Sequence, residues 1–150
     1  MPLLRPVIVD DVHQVLELNH RNVELLAPMD AVRLSELQVL ADRCDVVDVD
    51  GAFAGFVITF GPGATYDSEN YRWFAGRHDD FYYLDRIVLH EDFRRQGLGA
   101  FVYDELEQRA RTHGRMLLEV NVEPPNEGSL AFHRNRGYED LAILGDGPKK

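Results

Sequence analysis

Apolar residues fall into two rhythms along this chain, one alternating and one recurring every three or four positions, and the switches between them mark its elements. Leu3 to Val7 reads as a short strand. Asp10 or Asp11 then stands where a helix needs its N-cap, and Val12, Val15, Leu16, Leu18 and Val23 follow at helical spacing. A second helix is predicted over Asp30 to Asp42. Cys44 to Val49 and Ala52 to Phe60 are β-rich runs, and the Asp50-Gly51 pair between them supplies the positive φ angles of a tight hairpin turn. Gly61 to Asp80 carries three glycines, one proline and no sustained period. It predicts a long excursion before the strong strand Phe81 to Leu89.

Leu98, Val102, Leu106 and Ala110 recur every four positions, predicting an amphipathic helix that Gly114 terminates. Met116 to Val122 follows as a buried strand, and strand, helix, strand in that order is a right-handed crossover that sets the two strands parallel. Ser129 to Arg136 reads as a helix ended by Gly137, and Tyr138 to Leu144 as a last strand. No repeat, low-complexity run or linker-like shift in composition interrupts the series, so residues 1–150 are expected to form one α+β domain with a mixed sheet.

Composition sharpens this. The 150 residues are 45% hydrophobic and 10% aromatic, enough to fill one core and too few for two large domains. The formal net charge of −10 would repel a phosphate backbone, which excludes a general nucleic-acid binder. Met1 to Asp11 has no basic segment followed by a long apolar one, and no run approaches the roughly 20 apolar residues of a membrane helix. A soluble, unprocessed, cytoplasmic protein with no membrane partner is expected. The single cysteine, Cys44, allows no internal disulfide or multi-cysteine zinc site, fits a reducing compartment and reads as a small core residue. His13, His20, His78, His90, His113 and His133 show no metal-ligand spacing, so no metal is expected.

The turn Arg94-Arg95-Gln96-Gly97-Leu98-Gly99-Ala100 lies between the strand ending at Leu89 and the helix that begins near Leu98. Glycines there let the backbone approach a bound group, and the unpaired amides and dipole of the helix start favour an anion such as a pyrophosphate. It lacks the third glycine of a dinucleotide fold and the Gly-Lys-Ser/Thr of a phosphate loop. A turn that merely needs glycine is the plainer alternative. Arg94, Gly97 and Gly99 in this setting resemble the motif of the GNAT acetyltransferase superfamily: Arg or Gln, two residues, Gly, one residue, then Gly or Ala. The resemblance extends through Glu119 to Asn126, Gly128 to His133 and Gly137-Tyr138. The stretch from Tyr66-Asp67-Ser68 to Trp73-Phe74 also resembles a little-characterised bacterial branch of that superfamily.

This resemblance implies a mostly antiparallel central sheet flanked by helices, with acetyl-CoA as co-substrate. It implies that amides of Arg95, Gln96, Gly97, Leu98, Gly99 and Ala100, following Arg94, hold the coenzyme A pyrophosphate. The backbone of Ile87, Val88 and Leu89 would pair with the pantetheine arm like an added strand, and Asn126 would touch that arm.

Acyl transfer from a thioester to an amine needs a base for the amine, polarisation of the carbonyl and a proton for the leaving thiolate. Glu119 falls where ribosomal-protein acetyltransferases of the superfamily carry their base. Alternation puts Tyr83, Asp85 and Ile87 on one face of their strand, making Asp85 the second candidate; for Glu119 and Asp85 alike, pairing with an arginine such as Arg86 or Arg115 is the structural alternative. His133 stands where the superfamily's general-acid tyrosine is expected, and a histidine of unperturbed pKa about 6.5 can serve as acid or shuttle. A surface helix residue is the competing reading, and Tyr82 or Tyr83 could supply a hydroxyl instead. Asn22, Asn121, Tyr71, Trp73 and Phe74 are candidates for the acceptor side, although aromatics also pin loops to a core.

The leading expectation is acetyl transfer to the primary amine of a small molecule, whose ammonium form suits the carboxylates. A protein N-terminal or lysine acetyltransferase and a non-catalytic acyl-CoA-binding module are the alternatives. A homodimer stays open.

Overall fold

The computed structural model describes residues 2–22, 26, 28–93, 96–119 and 127–139. It divides into two compact units, Met1–Leu117 and Leu118–Lys150. The first holds one five-stranded sheet in the order β1 (Pro2–Pro6), β2 (Arg43–Val49), β3 (Ala52–Phe60), β4 (Tyr82–Leu89), β5 (Met116–Leu117). Neighbours from β1 to β4 pair antiparallel, and β4 pairs parallel with β5, as the crossover requires. Helices α1 (Val12–Arg21), α2 (Ala31–Leu40), α3 (Glu69–Ala75) and α4 (Leu98–Ala110) belong to this unit, and α5 (Glu127–Asn135) to the second. The sheet is mixed, mostly antiparallel and flanked by helices. Of the strand expected over Met116 to Val122, only Met116–Leu117 is described as strand. Its end, and most of the strand expected over Tyr138 to Leu144, lie outside the described residues.

Two acidic residues begin the helices differently. Asp30 caps α2, its side chain accepting the Arg33 amide at 2.8 Å. Asp11 ends a 3₁₀ turn, Val9–Asp11, ahead of α1, and its carboxylate accepts the Ile8 amide at 2.9 Å. Both its oxygens also receive Arg5, at 2.8 and 3.0 Å, while Arg5 Nε donates to Asp48 at 2.9 Å. This cluster fastens the start of α1 to the paired strands β1 and β2.

The core lies on the sheet face that carries Val46, Phe56, Ile58 and Phe60, where Val15 and Leu18 of α1 and Leu34 and Leu37 of α2 are buried with them. On the opposite face α4 buries Val102, Leu106 and Ala110, and Arg109 reaches Asp45 of β2 at 3.4 Å. There the Tyr82 hydroxyl donates to Asp42 at 2.8 Å and lies 2.7 Å from Thr59 Oγ1. Cys44 is partly buried in β2, and desolvation, aided by the charge of Asp45, pushes its thiol up to about 12.

The excursion 61–80 holds an element its aperiodic sequence does not announce. Ser68 accepts the Tyr71 amide at 3.3 Å and starts α3, whose Tyr71 and Phe74 face inward. Tyr71 is 1% exposed and Phe74 7%, so both are core residues. Tyr71 sits among Phe60, Tyr66, Phe81 and Tyr83 at ring-centroid distances of 5.9, 5.7, 5.5 and 5.4 Å. Its hydroxyl donates to the Gly61 carbonyl at 2.7 Å and accepts the Ala64 amide at 3.0 Å.

Alternation along β4 breaks at Asp85. Ile58 pairs with Arg86 and Thr59 with Leu84, so Asp85 is an extra residue, a β-bulge. Tyr83 lies opposite Phe60, and Val88 opposite Phe56, on the core face; Ile87, opposite Val57, lies on the other. The expected common face of Tyr83, Asp85 and Ile87 therefore does not extend to Ile87.

Candidate active site

The pairing of β4 with β3 runs to Leu89, whereas its described pairing with β5 comprises Tyr82 with Met116 and Tyr83 with Leu117. Among the described residues of 2–117, Ile87, Val88 and Leu89 thus have β3 along one side and no strand along the other. Such an edge can take an extended ligand through main-chain hydrogen bonds. A short 3₁₀ turn, Glu91–Phe93, follows β4, and Arg21 at the end of α1 forms an ion pair with Glu91.

The glycine-rich turn then enters α4 through Gly97, its N-cap, at φ 76 and ψ 12. Glycine meets this left-handed angle without strain, and no side chain caps the helix. The first-turn amides of α4 are left for an outside acceptor, and the helix dipole makes an anion the favoured one. Leu98 is buried and anchors the helix start, while Gln96 and Gly97 are exposed and Gly99 and Ala100 half-buried. Arg94, Arg95, Asn121 and Asn126 lie outside the described residues.

Asp85 is enclosed. Tyr66 donates its hydroxyl to Oδ1 at 2.6 Å and Arg86 Nε donates to Oδ2 at 2.8 Å. Arg86 reaches on to Asn19 Oδ1 in α1 at 3.0 Å. Burial works against the Arg86 charge, but Asp85 outweighs it and the guanidinium pKa is raised. Burial, then Asp85, holds the Tyr66 hydroxyl well above its ordinary value, so it stays a donor. Sequence reasoning missed Tyr66 and Asn19; the available signal was an adjacent Asp-Arg pair inside an otherwise apolar strand.

Glu119 is half-buried and lies two residues beyond β5. His133 in α5 is 8% exposed, so it is no surface residue. Its Nδ1 lies 2.6 Å from the Ser129 carbonyl, which can only accept, so Nδ1 carries a hydrogen. Its ring meets those of Phe132 and Tyr138 edge to face, with centroids 5.4 and 5.3 Å away. Tyr83 is fully buried in the aromatic core, as Tyr71 and Phe74 are, which removes all three from a solvent-facing wall. Trp73 is half-buried beneath the Arg77 guanidinium, 3.9 Å from its ring centroid. Asn22 ends α1 and spends its Nδ2 on the Leu18 carbonyl at 2.8 Å. A pocket of about 290 Å³, which the sequence did not suggest, lies between α1 and α2, lined by His20, Pro28, Met29, Asp30 and Arg33.

A model of the acetyltransferase (GNAT) family matches residues 9–138. The chain belongs to the GNAT acetyltransferase family. An uncharacterized N-acetyltransferase of Methanocaldococcus jannaschii is 26% identical over 61 residues, 41% of this GNAT chain and 27% of that relative's length. Solved structures share the fold at lower identity. An aminoglycoside 6′-N-acetyltransferase of Acinetobacter haemolyticus is 18% identical, with 99% and 98% of the two chains covered and a TM-score of 0.68. A ribosomal-protein-alanine N-acetyltransferase of Brucella melitensis biovar Abortus is also 18% identical, covering 97% and 98%, again with a TM-score of 0.68. AAC(6′)-Iy, solved with the bisubstrate analogue CoA-S-monomethyl-acetylneamine, is 17% identical over 100% of this GNAT chain and 99% of its own, with a TM-score of 0.67. Among the described residues of the GNAT chain, no helix is long and apolar enough to cross a membrane. Nor does any group of three or more His, Cys, Asp and Glu there form a metal site.

Proposed function

We propose that the chain is an acetyl-CoA-dependent N-acetyltransferase that acts on the primary amine of a small molecule. The observation that carries the cofactor is the uncapped start of α4 behind Gly97, together with the β4 segment Ile87–Leu89, which lacks a second strand among the described residues of its unit. The α4 amides fit a pyrophosphate and the β4 edge fits an extended amide-bearing arm. Acetyl-CoA, when bound, supplies an activated acetyl thioester. Glu119 takes the proton of the acceptor ammonium and leaves a nucleophilic amine. His133 holds one hydrogen on Nδ1 against Ser129, so as imidazolium it donates the proton on Nε2 toward the departing sulfur.

The pocket beside α1 and α2 has room for a small amine, and the net charge of −10 favours a cationic acceptor. With Tyr71 and Phe74 in the core, an aromatic wall no longer supports a small acceptor, and the reading leans on the net charge. Amines, peptides with free N-termini and lysine peptides, each offered with acetyl-CoA and followed by release of free thiol, test the choice. Turnover with small amines alone is expected, and turnover with peptides alone overturns it. Glu119→Gln is expected to lower turnover about 10²- to 10⁴-fold with acetyl-CoA affinity kept, as for loss of a general base. Unchanged turnover removes Glu119 from that role.

A further inference from the structure

In a regular strand Asp85 and Arg86 would project to opposite faces. Their charged groups instead meet at 2.8 Å, because the bulge at Asp85 turns both toward the core side. Both are held from outside the strand as well. Tyr66, whose ring stacks on Phe60 at 4.1 Å with the Arg33 guanidinium 5.7 Å from its centroid, binds Asp85; Asn19 binds Arg86. The two charged side chains are each 6% exposed.

Register in a sheet is normally chosen by which residues are apolar. Here that choice is weak, because Ile87, Val88 and Leu89 are all apolar and either face would accept them. Relaxing the bulge would shift the register by one residue, turning Val88 away from Phe56 and Ile87 toward it. It would also strand the Arg86 charge without its carboxylate, and a buried ion pair whose partners cannot separate cheaply is suited to fix a register.

We propose that Tyr66, Asp85, Arg86 and Asn19 form a register lock for β4, with Asp85 a positioning residue that sets how Ile87–Leu89 meet acetyl-CoA rather than the acceptor of the amine proton. Both Asp85 oxygens are committed to donors, and taking a proton there would break the lock. The inference rests on the acetyl-CoA reading above.

The test compares Asp85→Asn and Tyr66→Phe with the wild type. It measures acetyl-CoA affinity by calorimetry, kcat and KM across pH, and amide hydrogen exchange at Ile87–Leu89. Asp85→Asn is expected to raise Kd and KM for acetyl-CoA about tenfold or more and to speed exchange at those amides, with the midpoint of the kcat–pH profile unmoved. Tyr66→Phe should shift the same quantities in the same direction by a smaller factor. Loss of kcat and of the acidic limb of the profile, with Kd and exchange unchanged, would make Asp85 the base and overturn the lock. A lower melting temperature with Kd, KM and exchange of the folded protein unchanged would also overturn it, leaving a purely stabilising cluster. Should Asp85→Asn fail to fold, Tyr66→Phe and Asn19→Ala, which keep the ion pair, give the same measurements. If the wild type binds no acetyl-CoA, the functional reading falls, and exchange at Ile87–Leu89 in the variants decides the lock by itself.

Discussion

The Nδ1 hydrogen of His133, fixed by the Ser129 carbonyl, limits what this imidazole can do: only its charged form has a second proton to give. His133→Phe is therefore expected to lower turnover without weakening acetyl-CoA binding, and His133→Tyr to restore part of the rate, since a phenol can donate in its place. The wild type should lose activity as pH rises above neutral, while the tyrosine variant should retain it to higher pH; steady-state kinetics across pH checks both. Full activity in His133→Phe would end its role as acid. Glu119 and the turn glycines could be named as candidates because a family resemblance carries them, and His133 because it departs from that pattern. Tyr71 and Phe74 were open to two readings, since a ring that walls a pocket and one that fills a core have the same composition. What separates them is tertiary: Tyr71 finds two backbone partners for its hydroxyl, at Gly61 and Ala64.

Elements were legible in proportion to their length and regularity. The crossover from β4 through α4 to β5 follows from four apolar residues at regular spacing. α3 has seven residues, under two turns, so no period could build up, and its one local sign was Ser68 ahead of Glu69. The bulge was hidden because alternation presumes an unbroken ladder. At α4 the two motif glycines are expected to behave differently. Gly97→Ala puts a side chain at φ 76, which costs about 1–2 kcal/mol and so lowers the melting temperature along with acetyl-CoA affinity. Gly99→Glu adds a carboxylate to the first helical turn, where the dipole welcomes it, so stability should hold while binding of the anionic cofactor is lost. Melting curves and calorimetry separate the two effects; unchanged affinity in both variants would remove α4 from the cofactor site.

At the scale of the whole molecule, Arg5 and its two carboxylates are expected to contribute to the acid limit of stability, alongside Asp67 with Arg33 and Glu91 with Arg21. The Arg5 hydrogen bond is the main cause that holds Asp11 and Asp48 below the ordinary carboxylate range. A depressed folded pKa contributes stability that is present above the unfolded value, about 3.9 for aspartate, and disappears as pH falls through the lower folded value. Urea midpoints should stay level from pH 7 to 5 and drop below about pH 4. Arg5→Met should start lower, because two partly buried carboxylates lose the donor they share, and drop less on acidification. An equal acid drop in the variant would place the sensitivity elsewhere.

The raised thiol of Cys44 also makes the protein its own gauge. Burial pushes that thiol up to about 12, so at pH 8 the folded chain is expected to react slowly with a disulfide reagent. On the acetyl-CoA reading proposed above, coenzyme A released in turnover would be counted over that slow reaction. Each opening of β2 returns the thiol to an ordinary reactivity. The slow colour that the protein develops with the reagent alone, without acetyl-CoA, is then expected to report how often β2 opens.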